Sequence, residues 1–507
     1  MKKFFMSAFA LVVASCFFFS CADLNVESNS SAESIRKQEL ALLAATGGYV
    51  LSEDVMKDSL LSFLTASDTE SRSVISANSY EFTLADETTV SYPEVRLERS
   101  IAPESINSLS LYLYEFSNKD NESSGFAITS TDERIGSVLA VVPEGNLEDG
   151  ENDFLAFYTE CLENYIEETV DLWNEIDDEY IRAVCKEARV TVNSERSGTA
   201  QETILYENGE WTYKYGNNSR VLRTAWGQSD TYVSEIKYNT AIKAVYKKAY
   251  LTGCATTAIA QILAYYKPPM IMYPVCLEAL NRKWDKTSGW DGTYNWQIMT
   301  ENPSIAYLSE SGQVQVAALM YEIAERLGAK YGTNGTSAKH SRYGSLFSSL
   351  GFANDGLSSY SYNKVKNSID KYGPLLARGA SKKTNHYIKI FGKKIKVSTS
   401  YSGGHAWVID GYANLSCINK KSGEVIEASK DFVHCNVGWQ GNCDGYYLSG
   451  VFDMNSGGYV KDSSIGRDAA NVEDFYQYEV RIVPDIHFNG VYEPVNFGVA
   501  YEADEDE

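Results

Sequence analysis

The chain has 507 residues, of which 44% are hydrophobic and 13% aromatic, so it exceeds one ordinary domain and can form a substantial core. Its 68 acidic and 45 basic side chains give a formal net charge of −23, so most of its surface repels a phosphate backbone. The composition therefore argues against a disordered chain and against nucleic-acid binding.

The first 20 residues have the features of an export signal. A basic start precedes an apolar run over residues 4–19, which is marginal in length for a membrane-spanning helix. The run ends at Ser20 and Cys21, a pair that resembles a bacterial lipoprotein cleavage site and predicts lipidation of Cys21. Cys16 offers a second such site inside the run, and a plain secretory signal is a further alternative. We expect an exported protein, either a cell-envelope lipoprotein on the outer surface or one secreted after processing.

Hydrophobic periodicity predicts an α+β unit over residues 21–200. An amphipathic helical pattern covers residues 35–66. Alternating or apolar runs predict strands at 109–116, 125–130 and 138–142, and apolar residues at helical spacing predict a long helix over 153–188.

A polar, turn-rich stretch over residues 201–225 separates this unit from the rest of the chain. A short strand is predicted within it at 203–206, and exposed chain of this composition is where proteases cut. Residues 226–490, which are richer in aromatics and glycine, form the second predicted domain. Residues 491–507 are interpreted as a solvated acidic tail.

The cysteine count indicates a free thiol. Nine cysteines become seven once Cys16 and Cys21 are assigned to the signal, and an odd number in an exported protein leaves at least one thiol unpaired. The absence of a CxxC pair gives no support to zinc or thioredoxin-like chemistry, and no metal or organic cofactor is implied. Disulfide pairing stays open among Cys161, Cys185, Cys276, Cys417, Cys435 and Cys443.

Cys254 is the candidate nucleophile. It follows Gly253 and opens an Ala/Ile/Leu-rich stretch that ends at two prolines, which predicts a position at a helix N-terminus. Unpaired amides and the helix dipole favour a thiolate there, and the thiolate is the form that attacks a carbonyl carbon. From this segment alone, a small apolar cysteine that packs the first helical turn explains the pattern equally well.

His405 is the candidate base, because a cysteine nucleophile needs one and the chain has only five histidines. It follows Gly403 and Gly404 on a predicted strand, where it shares a face with Trp407 and Ile409. The glycines let the backbone pass close to a substrate and leave the imidazole unobstructed.

His434 is a competitor because Cys435 is its neighbour. Adjacent strand residues point to opposite faces, so these two cannot form a dyad with each other. His434 and Asn436 share a face, which makes Asn436 a candidate to orient an imidazole. A satisfied core histidine is the plainer interpretation of His434.

Three segments together resemble the streptopain family of papain-clan cysteine peptidases. They are TGCATTAIAQILAYYKPP at 252–269, GGHAWVIDGY at 403–412 and HCNVGWQGNCDGYY at 434–447. The resemblance covers about residues 226–483 and implies an α+β, papain-like fold with a helical lobe carrying Cys254 and a β-rich lobe carrying His405. It also implies that Gln228 completes an oxyanion hole with the amide of Cys254.

Residues 125–134 and 138–139 resemble the inhibitory propeptide of the same family. This implies a zymogen in which the prodomain, residues 21–200, blocks the cleft as an intramolecular inhibitor until the 192–225 stretch is cut. The candidate cleavage positions are Arg196, Lys214, Arg220 and Arg223. The implied activity is hydrolysis of protein or peptide substrates through a Cys-His dyad and an acyl-enzyme, and acyl transfer to an amine would use the same dyad.

One position departs from the family pattern. Members usually carry a tryptophan directly after the strand asparagine, and this chain has Val437 there. Since that indole is expected to shield or orient the imidazole, Asn436 or Trp439 is predicted to take its place. The departure and the large acidic prodomain leave a second hypothesis open, a catalytically impaired papain-like surface protein that binds without cleaving.

Overall fold

The computed structural model describes residues 32–46, 50–68, 79–91, 108–119, 123–145, 153–187, 209–215, 220–228, 236–332, 335–380, 389–390, 393–394, 404–419, 425–452 and 479–491. The predicted export signal with Cys21, the candidate cleavage position Arg196, the strand predicted at 203–206 and most of the acidic tail lie outside these ranges. Among the helices in these ranges, none is long and apolar enough to cross a membrane.

The N-terminal part, residues 32–187, combines helices with an antiparallel sheet. Its elements are α1 Ala32–Thr46, α2 Glu53–Asp68, β1 Tyr80–Ser91, β2 Ser108–Asn118, β3 Ser124–Ser130, β4 Val138–Val142, α3 Asp153–Glu175 and α4 Asp178–Glu187. Strands β2, β3 and β4 lie where the sequence pattern predicts them. Strand β1 is not among the predicted strands, because apolar residues alternate only in its first five positions, at Tyr80, Phe82 and Leu84, and every one of its residues is exposed or only half-buried.

Two predicted long helices are each divided by a capping residue. The side-chain Oγ of Ser52 accepts a hydrogen bond from the Val55 amide at 3.2 Å and starts α2 anew. In the same way, Oδ1 of Asp177 accepts a hydrogen bond from the Tyr180 amide at 2.7 Å at the start of α4. Such caps satisfy amides that lack an intrahelical partner, so they favour a new helix over continuation of the previous one.

The C-terminal part, residues 220–491, supplies most of the remaining elements. Its helices are α5 Thr240–Tyr246, α6 Cys254–Tyr266, α7 Pro274–Lys283, α8 Trp296–Met299, α9 Glu310–Leu327, α10 Tyr343–Ser349 and α11 Tyr362–Lys371. Strand β5, Gly209–Tyr215, precedes this part. The later strands are β6 Lys330–Gly332, β7 Gly335–Ser337, β8 Phe352–Ala353, β9 Ser358–Ser359, β10 Leu375–Ala380, β11 Lys389–Ile390, β12 Lys393–Lys394, β13 Gly404–Asn419, β14 Val425–Asn436, β15 Gly445–Leu448, β16 Glu479–Val483 and β17 His487–Phe488.

One antiparallel sheet runs through both parts of the chain. Its strand order is β1-β2-β3-β4-β15-β14-β13-β10-β16-β9, and β5 pairs with β13 outside this path. The N-terminal strands join it where β4 pairs with β15, with Val141 opposite Tyr446. The stretch predicted as a linker therefore contributes a paired strand, β5. The mixture of helices and an antiparallel sheet is the predicted α+β class.

The two faces of β13 belong to different cores. Trp407 and Ile409 pack in a hydrophobic cluster with side chains of the N-terminal part, including Phe154. Ala406 and Val408 pack in a second cluster with helices α6 and α9. This alternation follows from the two-residue period of a strand. It confirms the predicted shared face of His405, Trp407 and Ile409 and places that face against the N-terminal part.

Candidate active site

Cys254 is the first residue of α6, as predicted. Gly253 caps the helix with φ +94°, a conformation that favours glycine, and a Cβ there would lie 3.1 Å from the Thr336 carbonyl oxygen. The Cys254 side chain is half-buried, and its Sγ accepts a hydrogen bond from the Ala406 amide at 3.3 Å. The helix N-terminus and this amide both favour a thiolate.

The other described thiols are in surroundings that suppress reactivity. Cys161, Cys185, Cys276, Cys435 and Cys443 are buried, and no disulfide joins the cysteines whose side chains are described to one another. Burial raises the pKa of the Cys161, Cys276 and Cys435 thiols. Within this set Cys254 is the thiol placed to react.

The His405 imidazole lies on the face of β13 that is turned towards the N-terminal part. It is buried, and its Nε2 lies 3.2 Å from the Val437 carbonyl oxygen. Its ring centroid is 5.7 Å from that of Phe154 and 6.3 Å from that of Trp407. Among the described side chains, no hydrogen bond joins the imidazole to Cys254, so the predicted dyad is not assembled in this conformation.

Burial also fixes the protonation state of His405. Desolvation lowers its pKa to about 4, and the hydrogen bond to Val437 opposes this shift only in part. The imidazole is therefore neutral at neutral pH, with the proton on Nε2 donated to the carbonyl oxygen. Because its ring is held there, His405 cannot take a proton from Cys254 without a rearrangement.

Gln228 lies next to the nucleophile through its backbone. Its amide donates to the Gly438 carbonyl at 3.2 Å, and its own carbonyl accepts from the Thr252 amide at 3.0 Å and hydroxyl at 3.2 Å. The residue is buried and stands beside the turn that leads into Cys254. This position fits the predicted oxyanion-hole role, which stays a prediction.

None of the hydrogen bonds that Asn436 forms in the described part of the chain goes to His405. Its Oδ1 accepts hydrogen bonds from Gln261 Nε2 at 2.8 Å and from the Gly438 amide at 3.3 Å. Its Nδ2 donates to the Thr224 carbonyl at 3.0 Å. The amide predicted to orient the imidazole is thus occupied by the nucleophile helix and by the segment that carries Gln228.

Gln261 is the residue that the sequence interpretation missed. It is fully buried, and its Oε1 accepts hydrogen bonds from the Thr224 hydroxyl at 3.0 Å and the Trp226 amide at 3.1 Å. It therefore ties α6 both to Asn436 and to the residues just before Gln228. The available signal was a glutamine two turns after Cys254, on the same face of an otherwise apolar helix.

Trp439 is predicted to take the place of the family tryptophan, and Val437 occupies that tryptophan's position. The two residues have different surroundings. The Trp439 backbone forms a bridge with Gly227, and its indole Nε1 is buried without a hydrogen-bond acceptor in the described part of the chain. Val437 supplies the carbonyl oxygen that holds His405. Its side chain is buried as well.

His434 is a satisfied core histidine, as its plainer interpretation predicts. Its Nδ1 lies 2.5 Å from Asp410 Oδ1, and both side chains are buried. Asp410 also accepts the Val221 amide through its carbonyl and the Leu222 amide through Oδ2, both at 3.0 Å. The pair therefore anchors the beginning of the C-terminal part.

Comparison with known proteins finds a family model that matches the same region. Residues 226–447 match the model of the Peptidase C10 family. The chain is similar to a prointerpain A fragment from Prevotella intermedia, with 19% identity over 79% of this chain and 98% of that one and a TM-score of 0.41. It is also similar to active wild-type interpain A cysteine protease from Prevotella intermedia, with 24% identity over 54% and 95% and a TM-score of 0.30. No curated protein matches the chain.

Proposed function

We propose that the chain is a latent cysteine endopeptidase with Cys254 as nucleophile and His405 as base, because residues 226–447 match the model of the Peptidase C10 family. The observation that carries this proposal is the 3.3 Å approach of the Ala406 amide to Cys254 Sγ. Because Ala406 directly follows His405 in β13, we expect a rearrangement that frees the imidazole from its present contacts to bring base and nucleophile together.

The proposed reaction follows from the groups at this site. His405 takes the thiol proton of Cys254, and the thiolate attacks the carbonyl carbon of a peptide bond. The Cys254 amide and the Gln228 side-chain amide stabilise the oxyanion. The C–N bond then breaks as His405 protonates the leaving amine, and water hydrolyses the thioester.

The N-terminal part is proposed to keep the enzyme latent. The Phe154 ring packs against His405, and its centroid lies 5.1 Å from that of the Trp407 ring. The centroid of the Phe157 ring lies 5.6 Å from that of Trp407. Gly379, which is opposite His405 on the neighbouring strand, leaves the space that the Phe157 ring occupies, because a Cβ there would lie 2.1 Å from that ring. Helix α3 thus holds the imidazole away from the nucleophile.

Self-cleavage of the purified precursor tests the function. Under reducing conditions the wild-type chain is expected to shorten to the C-terminal part and to hydrolyse a fluorogenic peptide mixture, whereas Cys254→Ala does neither. A surface protein that binds without cleaving predicts no difference between the two chains. A wild-type chain that stays inactive even after an added protease has removed residues up to about 200 would exclude the peptidase mechanism.

The activating cut is expected before residue 209. Lys214 lies in β5, where it is paired with Asn414, and amides of the segment after Arg220 are bonded to Asp410. A protease needs chain that can leave its neighbours, so Lys214, Arg220 and Arg223 are poor cleavage positions and the stretch 188–208 is favoured. N-terminal sequencing of the mature form checks this. A mature terminus beyond residue 209 contradicts it.

We also propose that the precursor is exported and anchored to the membrane by lipid at Cys21. The basis is the sequence of the export signal alone. Cells fed an alkyne fatty acid are expected to label the wild-type chain and the Cys16→Ser variant, and not the Cys21→Ser variant. Equal labelling of Cys21→Ser, or no label on the wild type, contradicts the anchor.

A further inference from the structure

Two arginines lie on the face of the sheet that packs against α6, the helix that carries the nucleophile. Arg378 is opposite Ala406 in the β10–β13 pair and opposite Arg481 in the β10–β16 pair. Directly paired residues of antiparallel strands point to the same face. Ala406 is the residue whose amide contacts Cys254 Sγ, so Arg378 stands one strand away from that contact and Arg481 two strands away.

The packing further along the same strands confirms this face. Leu376, Val408 and Val483 are each two residues from one of the paired residues Arg378, Ala406 and Arg481, and all three pack in the cluster built on α6 and α9. The arginines therefore continue the row of side chains beneath the nucleophile helix. They occupy the end of that row nearest Cys254.

Tyr343 on α10 provides an independent link between Arg378 and the nucleophile. Burial raises the pKa of this phenol, the Cys254 thiol raises it further, and Arg378 lowers it. Both groups are thus close enough to influence one buried hydroxyl. Arg378 and Cys254 are therefore both near Tyr343.

The surroundings of Arg378 are unfavourable without an anion. It is half-buried, and within the described part of the chain no carboxylate forms an ion pair with it, although the chain as a whole carries a charge of −23. A partly desolvated guanidinium is stabilised when a carboxylate arrives.

We propose that Arg378 binds a carboxylate side chain of the substrate, so that the enzyme prefers peptides with Asp or Glu within two residues of the cleaved bond. This inference rests on the peptidase function proposed above. The guanidinium is always charged and its planar donors match a carboxylate, which makes the preference specific for acids over isosteric amides. The favoured activation stretch contains Glu195, Glu202 and Glu207, which suits self-cleavage.

The test uses the enzyme that is obtained by activation of the full-length precursor. The amount of active enzyme is determined by titration of Cys254 with a thiol-alkylating peptide. Fluorogenic peptides differ only in Glu or Gln at one position, scanned over the two residues on each side of the cut. At one position kcat/KM is expected to be roughly tenfold to a hundredfold higher for Glu. Arg378→Met is expected to reduce this ratio to about one while the value for the Gln peptide is kept.

Two further variants make the outcome decisive. Arg282→Met removes an exposed arginine on α7 and is expected to leave the Glu/Gln ratio unchanged. Arg378→Lys keeps a charge without the bidentate fork and is expected to give an intermediate ratio, which also serves if Arg378→Met does not fold. A wild-type ratio near one, or a Glu preference that survives Arg378→Met or Arg378→Lys undiminished, overturns the inference. Failure of the wild type to cleave any peptide overturns the peptidase function instead.

Discussion

Phe154→Ala is expected to convert the latent precursor into one that activates itself rapidly. The Phe154 ring is fully buried and lies 5.7 Å from the His405 ring and 5.1 Å from those of Trp407 and Tyr447. Truncation of a buried phenylalanine costs about 3–5 kcal/mol, and here the lost contacts are those between the two parts of the chain. The rate of self-cleavage under reducing conditions is therefore expected to rise about 100-fold or more.

A second phenylalanine separates weaker docking from release of the histidine. Phe63 on α2 also packs across the two parts, 5.3 Å from Phe432 and 5.5 Å from Tyr446, but it is not in ring contact with His405. In the Cys254→Ala background, Phe154→Ala is expected to return the His405 pKa towards its ordinary value in NMR titration. Phe63→Ala is expected to leave that pKa low while the parts stay docked. A Phe154→Ala precursor that is as latent as the wild type contradicts the proposal that α3 holds His405 away from Cys254.

Local sequence patterns predict much of the scaffold. The glycine before Cys254 and the two prolines after the apolar run give the bounds of α6, and period-two alternation gives β2 and the shared face of His405 and Trp407. These features depend on neighbours within one element. For that reason they can be inferred without knowledge of the tertiary structure.

The state of the site depends on contacts between distant segments. Periodicity puts His405 and Trp407 on one face, but it does not show that this face meets Phe154 from another part of the chain. Asn436 was expected to orient the imidazole, yet a glutamine on α6 takes its amide. Strand β5 lies in the stretch interpreted as a linker, where Trp211, Tyr213 and Tyr215 alternate with polar residues. Its place in the sheet is determined by backbone pairing with β13, which the local sequence does not show.

Acid is expected to weaken the latent state through His405. Its pKa is about 4 when docked and 6.5 when exposed, so between these values the undocked state binds the proton and the docked state does not. The stabilisation of the neutral docked form is complete above pH 6.5 and is lost as the pH falls towards 4. The full difference corresponds to about 3 kcal/mol.

Buried carboxyls act in the opposite direction and must be cancelled. Burial raises the pKa of Glu163 and Asp431 to about 7 and that of Asp444 to about 6, so protonation of these groups favours the folded chain as the pH falls. They are common to both members of a matched pair, Cys254→Ala and Cys254→Ala/His405→Gln. Urea unfolding of the two chains from pH 7.5 to 4 therefore isolates the contribution of His405 to the pH dependence of stability.

The difference in unfolding free energy between these two chains is expected to change by about 3 kcal/mol over that range. The chain that keeps His405 is the one that loses stability as the pH falls. His405→Gln cannot titrate, so its curve reports the carboxyls alone. Parallel curves would mean that the imidazole keeps its ordinary pKa in the precursor and that Phe154 does not desolvate it. A difference confined to the window between pH 6.5 and 4 shows that protonation of His405 destabilises the precursor, as release of the prodomain by acid requires.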